Sequence, residues 1–229
     1  MNNHNFKSKN QIVYEMMRDA IISGKFEPKS RIVIDDLAIQ YGISHSPIRE
    51  CLRLLEGDGL VTIQPYIGVT VTELKPELIM EVFTLLESLE IISSCRASNR
   101  ASDKQLNKLA KMIDDMQQYT DSSDDWSVQN IRFHMRICDI ADMSITKNMM
   151  RRTLYHWDRL RRYYLEEVSA RRIEQAQEEH RELLQAIRAG NEQSIADVIQ
   201  KHNKAAMDDY LNYIKATQKI DLVATYPYG

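Results

Sequence analysis

Proline and glycine are spread so unevenly along this chain that they divide it before any other feature is weighed. Gly24, Gly42, Gly57, Gly59 and Gly68 all lie in the first third, as do Pro28, Pro47 and Pro65. Beyond Pro76 there is no proline until Pro227, and Gly190 is the one internal glycine. The long stretch between is rich in Leu, Ile, Met, Glu, Gln, Lys and Arg. Such residues lose little freedom in a helix, and almost nothing there interrupts one. Residues 74–229 therefore read as an all-helical bundle, and residues 1–73 as a compact unit of short elements. The segment VTELKPEL links the two. The fold class expected is mainly α.

In the front unit, Ile12, Val13, Met16, Met17, Ala20 and Ile21 recur at helical spacing, with Gly24 just past the helix. FEPKSRI reads as a turn. Leu37, Ala38 and Tyr41 lie on a short helix that Gly42 ends. Ser44 to Ser46 then connect to another helix, where Ser46 suits the cap and Pro47 the first turn. Ile48, Leu52 and Leu55 form its buried stripe, and Gly57 and Gly59 stop it. LVTIQ and GVTVT, joined by PYI, read as a β-hairpin. Helix, helix, turn, helix, hairpin is the order of a winged helix-turn-helix. Such a motif points the N-terminal end of its second helix into the major groove of DNA. That placement sets Ser44, His45, Ser46 and Arg49 against base edges, with Arg53 one turn along from Arg49. Arg31 is a further candidate, and Gly68 would let the hairpin tip approach a phosphate or the minor groove closely.

Charge alone does not announce a nucleic-acid partner. The chain carries a net charge of -3. Within residues 1–73, eight Lys or Arg face nine Asp or Glu, whereas DNA-binding domains usually show a basic footprint. The inference rests on where charges sit, the alternative being that Arg49 and Arg53 are solvated and paired with Glu50 and Glu56. No stretch is apolar for long enough to span a bilayer, and the start MNNHNFKSKNQIVYEMM lacks the apolar core of a signal peptide. Cys51, Cys95 and Cys138 are odd in number and widely spaced, which reads as reduced thiols within helices and a cytoplasmic protein.

The run ISGKFEPKSRIVIDDLAIQYGISHSPIRECLRLLEGDGLVTIQPYIGVTV resembles the N-terminal domain of GntR-family transcription regulators, with LAIQYGIS, SPIRE, LLEGDGLV and the wing glycine in order. Residues 77–215 resemble the helical C-terminal domain of the FadR-like branch, the FCD domain. Two departures stand out. Family members commonly have Arg where this chain has His45, and many FCD domains carry Arg where it has Leu86. Arg can form a bidentate pair with guanine, whereas His offers one contact.

Six histidines are present. His4 lies in a tail, and His156, in LYHWDRL, reads as structural. His134, in IRFHMRI, shares a helix face with Asn130 four residues earlier. His180 and His202 flank Gly190 at similar distances, so antiparallel helices joined there bring them to one height. Taken alone, each could be a solitary histidine in a seam between helices. The resemblance implies more, because metal-binding FCD domains have Asp-x-x-x-His on one helix and a His on each of two later ones. Those positions fall on Asn130, His134, His180 and His202. Neutral imidazoles suit a divalent ion such as Zn²⁺ or Ni²⁺. Asn130 in place of Asp removes one charge from the set.

The function expected is a DNA-binding transcription regulator, not an enzyme. It would be a homodimer on a roughly palindromic operator, with repression relieved by ligand the commoner mode in the family and activation the alternative. Its helical domain would bind a small metabolite near the metal site, a carboxylate or sugar acid if it follows the family. Two alternatives differ in kind: a DNA-binding dimer whose helical domain binds no ligand, or a hydrolase using a His-bound metal. Glu178, Glu179 and Glu182 flank His180, but no HExxH signature is present. The tail ATYPYG is expected to be disordered or packed on the dimer.

Overall fold

A computed structural model describes residues 9–75 and 77–218. The tail ATYPYG, His4 and Pro76 lie outside the described residues. The chain divides into two units at residues 74 and 75, one residue later than the sequence suggests.

The first unit begins with helix α1, Lys9–Ile22, followed by a two-residue strand β1, Arg31–Ile32. Helix α2, Ile34–Tyr41, ends at Gly42, whose φ of 62° is the left-handed cap that glycine adopts without strain. Helix α3, His45–Gly57, leads into β2, Val61–Gln64, and β3, Gly68–Val71. The three strands form one antiparallel sheet in the order β1-β3-β2. Val13, Met17 and Ile21 of α1 meet Ile48, Cys51, Leu52 and Leu55 of α3, with Ile32, Leu37, Leu60, Val61, Val69 and Val71 closing the core. Each such side chain contributes about 1.5–3 kcal/mol on burial, which is how so small a unit holds its shape.

Three details differ from the sequence reading. The turn FEPKSRI ends in a strand, because Arg31 and Ile32 pair with Thr70 and Val69. Two residues are too few for a periodic signal. Helix α3 starts at His45, so its N-cap is Ser44 rather than Ser46, and the Ser44 side chain makes no capping bond. Finally, Ile12 and Met16 are about half exposed, because the apolar stripe of α1 is wider than the face α3 covers.

The second unit is helical throughout its described residues. It comprises α4 (Leu78–Ser98), α5 (Asp103–Met116), a 3₁₀ turn (Gln117–Tyr119), α6 (Ser123–Ala141), α7 (Ser144–Tyr164), α8 (Glu166–Ala189) and α9 (Glu192–Gln218). Two of its helix starts are capped by side chains. Ser102 and Gln105 form a reciprocal capping box at α5, and the Ser122 hydroxyl accepts from the Asp125 N–H at α6. Gly190, with φ 65°, ends α8 and lets α9 return. Helix α4 packs on α6, α7, α8 and α9, and α8 packs on α5 and α9. Leu109, Ile113, Phe133, Ile137, Leu183, Ile187, Ile195 and Ile199 form much of the core. No helix among the described residues is long and apolar enough to cross a membrane.

Candidate nucleic-acid interface and candidate metal centre

On the first unit, Ile48, Cys51, Leu52 and Leu55 turn one face of α3 into the core, which forces Arg49 and Arg53 outward. Both are exposed, one turn apart, and among the described residues neither makes an ion pair. Glu56, one of the partners considered for them, instead accepts a hydrogen bond from the Ile63 N–H at 2.9 Å and ties α3 to the hairpin. Ser44, His45 and Ser46 are exposed at the start of α3. His45 Nε2 lies 3.1 Å from Asp35 Oδ1 on α2, a contact the sequence reading missed. Arg31 and Gly68 meet at the wing. A Cβ on Gly68 would stand 3.4 Å from the Arg31 guanidinium, and its φ of 108° already disfavours a side chain. At the tip, Tyr66 is fully exposed and Ile67 more than half so. The seven candidate DNA-binding residues thus fall in two groups, one on α3 and one at the wing. Exposed, unpaired guanidiniums beside an open helix N-terminus have the chemistry to engage phosphates and base edges.

On the second unit, His134 of α6, His180 of α8 and His202 of α9 come together. One ligand atom from each lies within 4.8 Å of the others. The ring centroids are 5.2 Å apart for His134 and His180, and 5.5 Å for His180 and His202. His134 and His180 are buried, and His202 is partly so. Trp126 stacks on His180 with centroids 6.0 Å apart, and Phe133 lies 4.8 Å away. Both His180 nitrogens and the Asn130 Oδ1 are buried with no hydrogen-bond partner. A buried polar atom without a partner costs about 1–3 kcal/mol, so His180, which can turn one ring nitrogen to a ligand, and Asn130 both ask for something to bind. Lone pairs on imidazole nitrogen and an amide oxygen are the donors a divalent transition ion accepts. The residues present fit such an ion.

Around the histidines stand groups the sequence reading missed or cast otherwise. His134 Nδ1 is 3.1 Å from Glu90 Oε1 on α4. His202 Nδ1 is 2.5 Å from Glu179 Oε2, and Arg172 reaches both Glu179 and Asp209. Although burial opposes ionisation of Glu179, His202, Arg172 and Gln175 hold it below the usual carboxylate value. In the sequence Glu179 reads only as a neighbour of His180 and a candidate base for a hydrolase, whereas the structure sets it against His202. Asn130, His134 and His202 open on a pocket also lined by Phe83, Leu86, Trp157, Arg172 and Tyr210. Leu86, where many FCD domains carry Arg, sits in its wall. Nothing local in the sequence could have flagged Glu90, which sits far from both side chains it touches.

Burial, reinforced by His134 and His202, holds His180 well below its ordinary 6.5, and burial also lowers His134. Both rings are therefore neutral near pH 7. The unfolded chain takes up these protons near pH 6.5, while the folded chain does so only at lower pH. Metal-free protein should thus lose stability as pH falls below about 6.5, by at most about 1.4 kcal/mol per pH unit for each ring. Urea denaturation between pH 7.5 and 5 measures this, and a flat profile would contradict it.

Residues 9–71 match the bacterial regulatory proteins of the gntR family, and residues 81–205 match the FCD domain. The HTH-type transcriptional regulator YdhC of Bacillus subtilis is 26% identical over 194 residues, covering 82% of this chain and 85% of that one. The HTH-type transcriptional regulator McbR of Escherichia coli is 22% identical, with 78% and 84% covered. The gluconate operon transcriptional repressor of Bacillus subtilis is 28% identical, with 58% and 55% covered. Among solved structures, E. coli McbR/YncC superposes with a TM-score of 0.75 at 20% identity, over 90% of this chain and 99% of that one. The fold and its two domains define a transcription regulator and not an enzyme. The chain belongs to the GntR family of regulators that carry an FCD domain.

Proposed function

We propose that this protein is a metabolite-responsive, homodimeric repressor whose helical domain holds a divalent metal ion. Each first unit would read one half of a roughly palindromic operator through α3 and the wing. Ser44, His45, Ser46, Arg49 and Arg53 engage the major groove, and Arg31 and Gly68 the backbone or minor groove beside it. In the second unit, His134, His180, His202 and Asn130 would hold the ion, with Zn²⁺ or Ni²⁺ the ions these donors suit. When bound, the ion supplies a positive centre that draws an anionic ligand into the pocket. The chain's own residues orient that ligand: Arg172, Tyr210 and Ser169 offer polar groups, and Phe83, Leu86 and Trp157 an apolar wall. A carboxylate or sugar acid fits this lining, and a gluconate operon repressor among the relatives supports the class. The ligand changes operator binding only to the extent that it prefers one arrangement of the dimer over the other.

The observation that carries the metal reading is the cluster of buried donors without partners, at His180 and Asn130, between two histidines oriented by carboxylates. Metal content after purification without a histidine tag tests it. The wild-type chain should retain close to one equivalent, and His134→Ala or His180→Ala should retain little. Equal and negligible metal in all three would leave a DNA-binding dimer whose helical domain lacks an ion. The DNA reading is tested by mixing the protein with sheared host DNA and sequencing what is recovered, with and without a metabolite extract. One or a few enriched sites are expected.

A further inference from the structure

We propose that the buried carboxylates Glu90 and Glu179, acting through His134 and His202, supply the negative charge that an ion in the histidine cluster requires, in place of a carboxylate that binds it directly. This rests on the metal reading above. The donor set itself is electrically neutral: three imidazoles and the Asn130 amide. A doubly charged ion inside a protein needs compensating charge close by. Glu90 is 5% exposed. Its Oε1 lies 3.1 Å from His134 Nδ1, and its Oε2 accepts a hydrogen bond from Asn203 Nδ2 at 2.8 Å. Glu179 is 3% exposed, with Oε2 at 2.5 Å from His202 Nδ1 and Oε1 accepting from Gln175 Nε2 at 2.9 Å.

Both contacts fall on Nδ1, which leaves Nε2 of each ring as the ligand atom. A carboxylate on the far nitrogen fixes the tautomer, orients the ring and raises its basicity. His180 has no such partner and is held by Trp126 and Phe133, so it contributes a lone pair without charge. Arg172 already offsets part of the charge on Glu179. Glu90 makes no ion pair with Lys or Arg among the described residues, and it is therefore the stronger of the two positioning residues.

The test is the Zn²⁺ affinity of the full chain, read by competition with a chromophoric chelator. Glu90→Gln keeps the shape and an acceptor oxygen but removes the charge. It should weaken Zn²⁺ binding by about 10- to 100-fold, and adding Asn130→Asp should recover most of the loss. Glu179→Gln should cost less, and it carries the same test if Glu90→Gln fails to fold. Unchanged affinity in Glu90→Gln overturns the proposal while leaving the metal site standing. Loss without recovery by Asn130→Asp also overturns it, because Glu90 would then act by ring orientation alone. A wild-type chain that binds Zn²⁺ no better than His134→Ala removes the metal reading and this proposal together.

Discussion

Replacing Arg49 and Arg53 together by alanine is expected to weaken operator binding by about 100-fold or more, at unchanged stability. A bidentate contact from Arg to a guanine edge discriminates by about 1–3 kcal/mol, and every 1.4 kcal/mol is tenfold. The two side chains lie one turn apart on the exposed face of α3 and are engaged in no ion pair there, so nothing within the unit needs them. Surface changes of this kind usually alter stability by no more than about 0.5 kcal/mol. Fluorescence anisotropy with a recovered operator fragment measures the loss, and thermal melting checks the fold. The single variants separate two roles. A change that relaxes preference at one base pair marks base reading, whereas a uniform loss with a salt slope lowered by about one marks a phosphate contact. Undiminished affinity in the double variant would move the reading surface away from α3.

Arg161→Ala should be the most damaging single substitution in the helical unit. Arg161 is wholly buried on α7. Its Nε and one terminal nitrogen donate to Asp158 Oδ1 at 3.1 and 2.9 Å, and the other terminal nitrogen donates to Ser123 Oγ at 3.1 Å. Asp124 Oδ1 is a further acceptor at 2.6 Å, which joins the start of α6 to the end of α7. Alanine would leave Asp158 buried with Arg162 as its remaining cation, and would open a large void. Removing one partner of a buried pair costs about 3–5 kcal/mol, equivalent to roughly 10 °C in a unit of this size. Differential scanning calorimetry would show it as a loss confined to the second unit. A shift under about 1 kcal/mol would mean that water replaces the guanidinium freely.

Much of this architecture was legible in the residues because local chemistry dictates it. Glycines at 42 and 190 take left-handed conformations and end helices where the pattern places them. The stripe Ile48, Leu52 and Leu55 fixes which side of α3 is buried, and so which side carries Arg49 and Arg53. The position of Gly190 between His180 and His202 was enough to bring those two rings level. What escaped depends on distance along the chain. Strand β1 exists only because β3 offers it a partner, and the N-cap position of α3 falls on Ser44 rather than Ser46 because the helix takes up His45 as its first residue. Glu90 meets Asn203 across 113 residues, a contact no periodicity encodes. Tyr66, at a φ of 65°, sits in the PYI connection that the flanking β-branched runs mark as the hairpin turn.

The chain has two tryptophans, and both border the pocket beside the histidines. Trp126 stacks almost parallel to His180, at an interplanar angle of 12°. The whole tryptophan emission of the protein therefore originates at the one place where an ion or a metabolite would arrive. The protein carries its own optical gauge, and a titration watched at those two side chains needs no attached dye.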